Sequence, residues 1–242
     1  KGPTEAVFQR QSGSHLLVVG QSAERSLSLL SVSMAALALQ YPAGQAEFVV
    51  LDPHASEGDG DGWFHQLAAV LSNKIRIGGP AEVSDLMNSL AEELAARAPT
   101  SGRDAPEVFL IVQDIQRFKA LRPEDDFKFS MDDEPAASPS KVFADLLGEG
   151  GPCGMHVIAA TDTWNNVSRW IPRKLMAEFE MRVLFQMSAN DSANLIDSPA
   201  ASTLGLHRAL FHNEHLGTLE TFRPYAMPDA AWLEEIGAEL VK

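Results

Sequence analysis

Cysteine and positive charge are scarce in this sequence. Cys153 is the only cysteine among 242 residues, which excludes an internal disulfide and any zinc site built from several cysteines. Lysine and arginine number 19 against 33 aspartates and glutamates, so the formal net charge is −14 at pH 7. Direct binding of nucleic acid is therefore not expected, because phosphates are held by clustered cations. The densest basic cluster is Arg169, Arg173 and Lys174, which we interpret as an exposed helix face, with a local basic patch as the alternative.

Long apolar runs are also missing. No stretch approaches the roughly 20 apolar residues that a membrane-spanning helix needs, so we expect no membrane contact by this segment. The sequence starts at Lys1 without a methionine or a signal-like stretch, and we expect it to be a piece of a longer protein. Its length and its 45% apolar content predict a single domain over residues 1–242 with a well-buried core.

What the sequence does contain is a regular alternation of short apolar runs and amphipathic stretches. We predict strands at residues 16–19, 47–51, 75–77, 108–112, 155–160 and 183–187, and helices at residues 24–40, 63–71, 83–97, 142–147 and 175–179. A hairpin of residues 208–211 and 218–222 and a last helix capped by Asp229 follow. This order indicates an α/β fold with a mostly parallel central sheet, flanked by helices on both faces.

One segment departs from this alternation. Residues 122–140 are acidic, contain three prolines and show no periodicity. We expect an exposed, mobile insertion within the domain, and docking of a basic partner is the alternative.

A phosphate-binding loop is predicted where the first strand meets the first helix. A Walker A loop reads G-x-x-x-x-G-K-[ST] at such a turn. Counted from Gly20, the second glycine falls on Arg25, the lysine on Ser26 and the Mg²⁺-binding hydroxyl on Leu27, so three of the four defining positions fail. The candidate loop positions are Gly20, Gln21, Ser22, Ala23, Glu24, Arg25, Ser26 and Leu27. Weak anion binding at the helix N-terminus is the alternative that remains open, with Arg25 or Ser26 assisting and Glu24 repelling phosphate.

The metal-holding carboxylate of such a site is also replaced. In the broad P-loop architecture a second strand ends in an acidic residue that holds Mg²⁺, and here residues 108–112 end in Gln113 and Asp114. A neutral amide does not supply the charge that a hard cation requires, whereas Asp114 could still polarise a water. Because phosphoryl transfer needs these groups together, we expect hydrolysis to be absent or very weak. We predict no metal site and no cofactor, and only weak binding of Mg·ATP if any.

A candidate recognition surface follows the strand at residues 155–160. Its residues are Trp164, Asn165, Asn166, Arg169 and Trp170, a mixture favoured in binding surfaces. They follow the carboxyl end of a strand, the edge where open α/β sheets bind ligands. The alternative is that both tryptophans pack against neighbouring helices.

Four segments together make the chain resemble the FtsK/SpoIIIE branch of the FtsK–HerA ATPases, which includes DNA translocases and the EccC/EssC motor of type VII secretion. They are HLLVVGQS at residues 15–22, FVVLDP at 48–53, GMHVIAAT at 154–161 and MRVLFQMSANDSANLID at 181–197. The departures from the family pattern fall at the active positions, including Asp162, which follows Thr161 where a sensor glutamine is usual.

The resemblance implies a RecA-like P-loop NTPase fold and a degenerate ATPase module that docks partners or regulates a larger translocase or secretion motor. The rival interpretation is a nucleotide-binding ATPase domain of a DNA translocase with a divergent Walker A loop. The implied partners are neighbouring modules of the same parent chain and a transported protein segment, with DNA contacted through the parent assembly. The implied location is cytoplasmic, and a membrane anchor of the parent would lie in another region.

Overall fold

The computed structural model describes residues 4–55, 62–97, 104–123 and 138–240, with side chains up to residue 238. Most of the predicted acidic insertion, residues 124–137, lies outside the described residues. Eight strands form one sheet: β1 Leu16–Val19, β2 Ala46–Leu51, β3 Lys74–Gly78, β4 Glu107–Val112, β5 Met155–Thr161, β6 Met181–Leu184, β7 Ala209–Asn213 and β8 Thr218–Phe222. The α-helices are α1 Ala23–Gln40, α2 Trp63–Val70, α3 Val83–Ala96, α4 Pro139–Asp145, α5 Trp164–Trp170, α6 Ala189–Ile196 and α7 Ala230–Leu240.

The strand order in the sheet is β3-β2-β4-β5-β1-β6-β7-β8. The first six strands in this order pair in parallel, and β7 and β8 continue the sheet as an antiparallel hairpin. Strand β1 lies in the middle, between β5 and β6, with Val19 in register with both Thr161 and Leu184. The predicted mostly parallel α/β sheet is confirmed, and its parallel strands bring their carboxyl ends to one edge.

Both faces of the sheet are covered, because successive strand residues point to opposite sides. Leu17 and Val19 pack in the core that α3, α4, α5 and α6 cover, whereas Leu16 and Val18 pack in the core beneath α1, α2 and α7. The continuous apolar character of the parallel strands follows from this burial on two faces. None of the described helices has the length and apolar character needed to span a bilayer.

Buried polar groups hold the amino-terminal edge of the sheet. The backbone N–H of Val157 donates to Nδ1 of His15 over 2.9 Å, and Nε2 of His15 donates to the Leu147 carbonyl over 3.1 Å. Burial, with the nearby His156, lowers the pKa of His15 to about 3 and outweighs the opposite effect of the Leu147 bond. His15 is therefore a neutral, fully engaged core residue.

Three predicted elements need correction. The predicted strand 183–187 is wrong at both ends, because β6 begins two residues earlier, at Met181, and ends three residues earlier, at Leu184. The predicted helix 142–147 is α4 followed by a π-helical turn, Leu146–Gly150. The predicted helix 175–179 is a 3₁₀ helix, Arg173–Glu178, and the helices α5 and α6 were not predicted.

Candidate functional site

The candidate site lies at the carboxyl edge of the parallel strands. Gly20 follows β1, Asp52 follows β2, Gln113 and Asp114 follow β4, and Asp162 follows β5. Two backbone bonds fix the ends of these strands, from Gly20 N to the Thr161 carbonyl and from Gln113 N to the Leu51 carbonyl, each 3.0 Å long. The fold thus brings the predicted loop and the predicted metal-holding positions to the same edge.

The connection between β1 and α1 is short. It comprises Gly20, Gln21 and Ser22, and α1 begins at Ala23. Ser22 is the N-cap, since its hydroxyl accepts a hydrogen bond from the backbone N–H of Arg25 over 3.4 Å. The remaining predicted loop positions, residues 23–27, therefore belong to the first turns of a helix.

The side chains at the lysine and hydroxyl positions of the motif pack toward the protein interior. Ser26 is 2% exposed, and its hydroxyl has no hydrogen-bond partner among the described residues. Leu27 packs against the core beneath α1. Two residues after Ser26, the Ser28 hydroxyl lies 3.0 Å from the Tyr225 carbonyl and 2.9 Å from the Ala226 carbonyl, so the chain that follows β8 crosses the start of α1.

Gly20 is needed for a steric reason. A Cβ placed on Gly20 would lie 2.7 Å from Cβ of Phe185 and 2.9 Å from Cγ of its ring. Phe185 N also donates to the Val19 carbonyl over 2.9 Å, which holds the aromatic side chain at this place. The glycine here is explained by packing against Phe185, without any requirement from a phosphate. Sequence reasoning missed this role because Phe185 reads as an ordinary strand residue.

Gln113 and Asp114 differ in their exposure to solvent. Gln113 is buried at the end of β4, whereas Asp114 is half-buried and adopts a left-handed conformation with φ of 50°. An Asp114 carboxylate oxygen accepts a hydrogen bond from Nε2 of Gln116 over 3.4 Å. Burial raises the pKa of Asp114 and the Asp162 carboxylate adds to the rise, against the opposing effects of Gln116, Arg117 and His54.

The predicted sensor positions, Thr161 and Asp162, lie at this edge together with Asp52, which was not predicted as a site residue. Thr161 is buried, and its hydroxyl has no partner among the described residues. Asp162 accepts hydrogen bonds from the Asn166 side-chain amide over 2.7 Å and from the Thr163 hydroxyl over 3.0 Å. Asp52 is buried and accepts from the backbone N–H of His54 over 2.9 Å. An acidic residue directly after an apolar strand was the signal that could have identified Asp52.

Carboxylates, a neutral amide and the N-terminus of α1 with Arg25 are thus what this edge offers to a ligand. No group of three or more histidine, cysteine, aspartate or glutamate residues within the described ranges has the arrangement of a metal site. Magnesium with a phosphate needs a carboxylate or hydroxyl cradle and a cation for the phosphate charge. The carboxylates of Asp114 and Asp162 can hold water or a cationic group at this edge.

The predicted recognition surface divides into two parts on α5. Trp170 is 8% exposed, and its ring N–H donates to the Phe118 carbonyl over 3.0 Å, so it belongs to the core. Asn165 and Arg169 are exposed, and Trp164 and Asn166 are half-buried. The Asn166 side chain is engaged by Asp162. The packing alternative therefore describes Trp170, and the surface that remains is centred on Trp164, Asn165 and Arg169.

A groove opens beside Trp164, between α5, the 3₁₀ helix Arg173–Glu178 and α6. Its volume is about 520 Å³. The apolar lining includes Trp164, Ile171, Met176 and Leu195, and the basic lining consists of Arg173 and Arg182. We refer to this feature as the α5–α6 groove. Sequence reasoning did not find it because its walls come from segments that are separate in the chain.

Arg182 forms the polar base of the α5–α6 groove. It is 7% exposed and donates from Nη1 to the Leu195 carbonyl over 2.7 Å. Nη2 donates to the Met176 carbonyl over 3.0 Å and to the Glu214 carboxylate over 2.6 Å. Its buried Nε–H has no acceptor among the described residues. Arg182 therefore ties β6 to α6 and to the neighbouring 3₁₀ helix.

Neither a family model nor a curated protein matches this sequence. Solved structures do match its fold. The conjugation coupling protein TcpA of pCW3, solved with ATPγS, aligns with a TM-score of 0.67 at 15% identity, over 94% of this chain and 65% of TcpA. EssC from Geobacillus thermodenitrificans, comprising ATPases 2 and 3, aligns with a TM-score of 0.62 at 13% identity, over 94% of this chain and 43% of EssC.

The cytoplasmic domain of the type VII secretion ATPase EccC from Thermomonospora curvata aligns with a TM-score of 0.62 at 16% identity, over 96% of this chain and 27% of EccC. This chain thus spans less than two thirds of the length of each of these three relatives. The chain has the fold of FtsK-type ATPase domains, and the expected RecA-like α/β P-loop NTPase fold is confirmed.

Proposed function

We propose that this chain is a non-hydrolysing or very weakly active FtsK/SpoIIIE-like ATPase module that serves as a docking or regulatory domain of a larger translocase or secretion motor. The fold supports the ancestry, since the relatives are a conjugation coupling protein and secretion ATPases. The residues at the strand edge support the loss of catalysis.

The observation that carries the proposal is the position of Ser26. The residue that stands in place of the phosphate-binding lysine lies within α1, four residues past the N-cap Ser22, and is 2% exposed. A side chain there points into the core rather than toward a ligand at the strand edge. The three-residue connection before α1 also leaves few free backbone N–H groups to surround a phosphate.

The metal-holding part of the catalytic apparatus is lost as well. Gln113 is a buried neutral amide where a metal-holding carboxylate is required. The carboxylates that remain at this edge, Asp114 and Asp162, interact with each other, since Asp162 contributes to the raised pKa of Asp114. A site that lacks both the phosphate-binding lysine and the metal-holding carboxylate disfavours Mg·ATP at two points.

The partners that fit such a module are other modules of the same parent chain. The EssC structure comprises two ATPase domains, and this chain covers 43% of it, about one domain of the two. A docking role requires an interaction surface, and the exposed part of α5 with the adjacent α5–α6 groove supplies one. A transported protein segment is the next partner we propose, and DNA would be contacted through the parent assembly.

The second candidate function is a nucleotide-binding ATPase domain of a DNA translocase with a divergent loop. The N-terminus of α1 favours it, because an 18-residue helix presents free backbone N–H groups and the positive end of its dipole at the strand edge. Arg25, half-buried in the first turn, is the one cation of the motif positions. Binding here would be weak and independent of Mg²⁺, since no metal carboxylate accompanies it.

Two measurements on the whole chain separate these functions. Calorimetric titration with ATP is carried out with Mg²⁺ and with EDTA, and phosphate release is followed over hours. We expect no Mg²⁺-dependent binding and no release above the rate without protein. Micromolar affinity that requires Mg²⁺ would overturn the proposal, and weak binding that is equal with EDTA would favour the second candidate.

A further inference from the structure

We infer that the α5–α6 groove is a docking site for an acidic peptide segment that carries large aliphatic side chains. The inference rests on the proposed docking role and names the chemistry of the partner. It starts from the combination of an apolar cavity with basic residues at its edge, on a chain whose net charge is −14.

The cavity has the size and lining for apolar side chains. Its volume of about 520 Å³ lies within the range of ligand-binding pockets. The half-buried side chains of Trp164 and Met176 present apolar surface to it, whereas Ile171 and Leu195 are each 1% exposed and contribute little accessible surface. Leucine-like side chains placed here would leave water for a surface that includes a tryptophan, the residue type that most often dominates binding energy.

The charge at the edge of the groove selects an acidic occupant. Arg173 lines the groove, Lys174 follows it, and Arg169 projects from α5, and all three are exposed. None of the three forms an ion pair with another described residue. Among the lining residues, Asp197 opposes Arg173 in charge and Arg182 is already paired with Glu214, so the excess positive charge at this edge comes from Arg169 and Lys174 beside the groove. A basic local surface on a strongly acidic chain attracts an acidic segment and repels a basic one.

The test uses the whole chain and a labelled synthetic peptide, fluorescein-EDLEDLDE, followed by fluorescence anisotropy. Two control peptides change one property each: EDSEDSDE lacks the aliphatic side chains, and QNLQNLNQ lacks the charge. We expect saturable binding of the first peptide and at least tenfold weaker binding of both controls. Binding should weaken between 50 and 500 mM NaCl because the ion pairs lie at the surface.

Matched variants assign the binding to the groove. Ser168 is exposed and lines the groove, so Ser168→Trp fills the cavity without disturbing the core, whereas Ala36→Trp adds the same side chain to the exposed face of α1, on the other side of the sheet. We expect Ser168→Trp to abolish binding and Ala36→Trp to leave it unchanged. Arg173→Glu should lower the affinity about tenfold, and Arg223→Glu, an equal charge change on an exposed residue after β8, should have a smaller effect.

Several outcomes would overturn the inference. They are equal binding by wild type and Ser168→Trp, preference for the uncharged peptide, and no binding at millimolar peptide. Binding that appears only after residues 124–137 are replaced by a glycine-serine linker would mean that this acidic segment competes with the peptide, and it would support the inference. ATP turnover measured on the same samples separates the two proposals. Peptide binding together with ATP turnover would contradict the proposed function and leave the groove inference standing. Absence of both would contradict the groove inference and leave the proposed function standing.

Discussion

The side chain of Phe185 occupies the space into which any side chain on Gly20 would project, with only 2.7 Å between the Phe185 Cβ and a Cβ added to Gly20. We therefore expect Gly20→Ala to lower the free energy of unfolding by about 1–3 kcal/mol, the cost of overpacking a filled core. Urea denaturation measures it. Gly148→Ala is the matched control, because no atom lies within 4 Å of a Cβ added there. Equal losses in both variants would contradict the packing explanation of Gly20.

Restoring the motif by substitution should not restore hydrolysis. The variant Arg25→Gly, Ser26→Lys, Leu27→Thr regains the Walker A letters, but its new ammonium lies at a buried position and Gln113 still replaces the metal carboxylate. We expect no phosphate release above background and a lower midpoint of thermal unfolding. Ala36→Lys adds a lysine to the exposed face of α1 and should leave the midpoint almost unchanged. Robust turnover by the triple variant would show that Gln113 is not limiting.

Asp114→Asn should stabilise the protein at neutral pH. Burial, with the Asp162 carboxylate, raises the pKa of Asp114, so the folded state binds this proton more strongly than the unfolded state does. The contribution of Asp114 to stability therefore falls as pH rises from about 3.9, the ordinary aspartate value, through the raised pKa. Asparagine also tolerates the left-handed backbone conformation of residue 114.

Thermal unfolding from pH 3 to pH 8 tests this expectation. The midpoint of Asp114→Asn should exceed that of wild type at pH 7, and the difference should vanish near pH 3. Asp104→Asn, at an exposed position, serves as the control, and its midpoint should stay close to that of wild type over the whole pH range. A constant difference across the range would mean that the charge of Asp114 is not responsible.

His15 should make the protein sensitive to mild acid. Its pKa is lowered to about 3 in the folded state, below the ordinary histidine value of about 6.5, so the unfolded state takes up the proton first. Stability is therefore lost as pH falls below about 6.5, by at most about 2 kcal/mol between pH 7 and pH 5. Urea denaturation of His15→Gln should show a weaker dependence on pH over this interval, whereas His207→Gln, at an exposed position, should keep the slope of wild type.

Arg182 should tolerate loss of its ion pair better than loss of its guanidinium. Glu214 is largely exposed, so Glu214→Gln is expected to cost less than about 1 kcal/mol. Arg182→Lys removes the planar donors that reach the Leu195 and Met176 carbonyls together and leaves buried acceptors unpaired, so it should cost about 2 kcal/mol or more. Chemical denaturation compares the two. The opposite ranking would mean that the pair with Glu214 dominates.

The apolar strands and the helix caps were the part of the fold that the sequence predicted well. The run at residues 16–19 is β1 to the residue, and Asp229 caps the last helix by accepting from the Trp232 N–H over 2.9 Å. Both signals are local, because an apolar run and an N-cap act through residues that are adjacent in the sequence. The same kind of signal was overlooked at Thr163 and Ser188, which cap α5 and α6.

Arg182 shows why other features could not be predicted. A charged residue within an apolar run indicates a strand end, yet here it is buried in β6 by the Leu195 and Met176 carbonyls and by Glu214. These partners become neighbours only in the folded chain. The same reason applies to the α5–α6 groove and to the contact between Gly20 and Phe185. The candidate edge residues were predictable because parallel strands end at one edge, whereas the burial of Ser26 depends on where α1 begins.

Because α1 begins at Ala23, recovery of catalysis would depend on the length of the connection between β1 and α1. Exchanging side chains within residues 23–27 alters a helix and leaves the distance from strand to helix as it is. A phosphate-sized turn would require additional residues between Val19 and Ala23 or the unwinding of the first turn of α1, with loss of the Ser22 cap. Insertions into surface connections cost little entropy. An engineer seeking an ATPase would therefore lengthen this connection before changing any side chain.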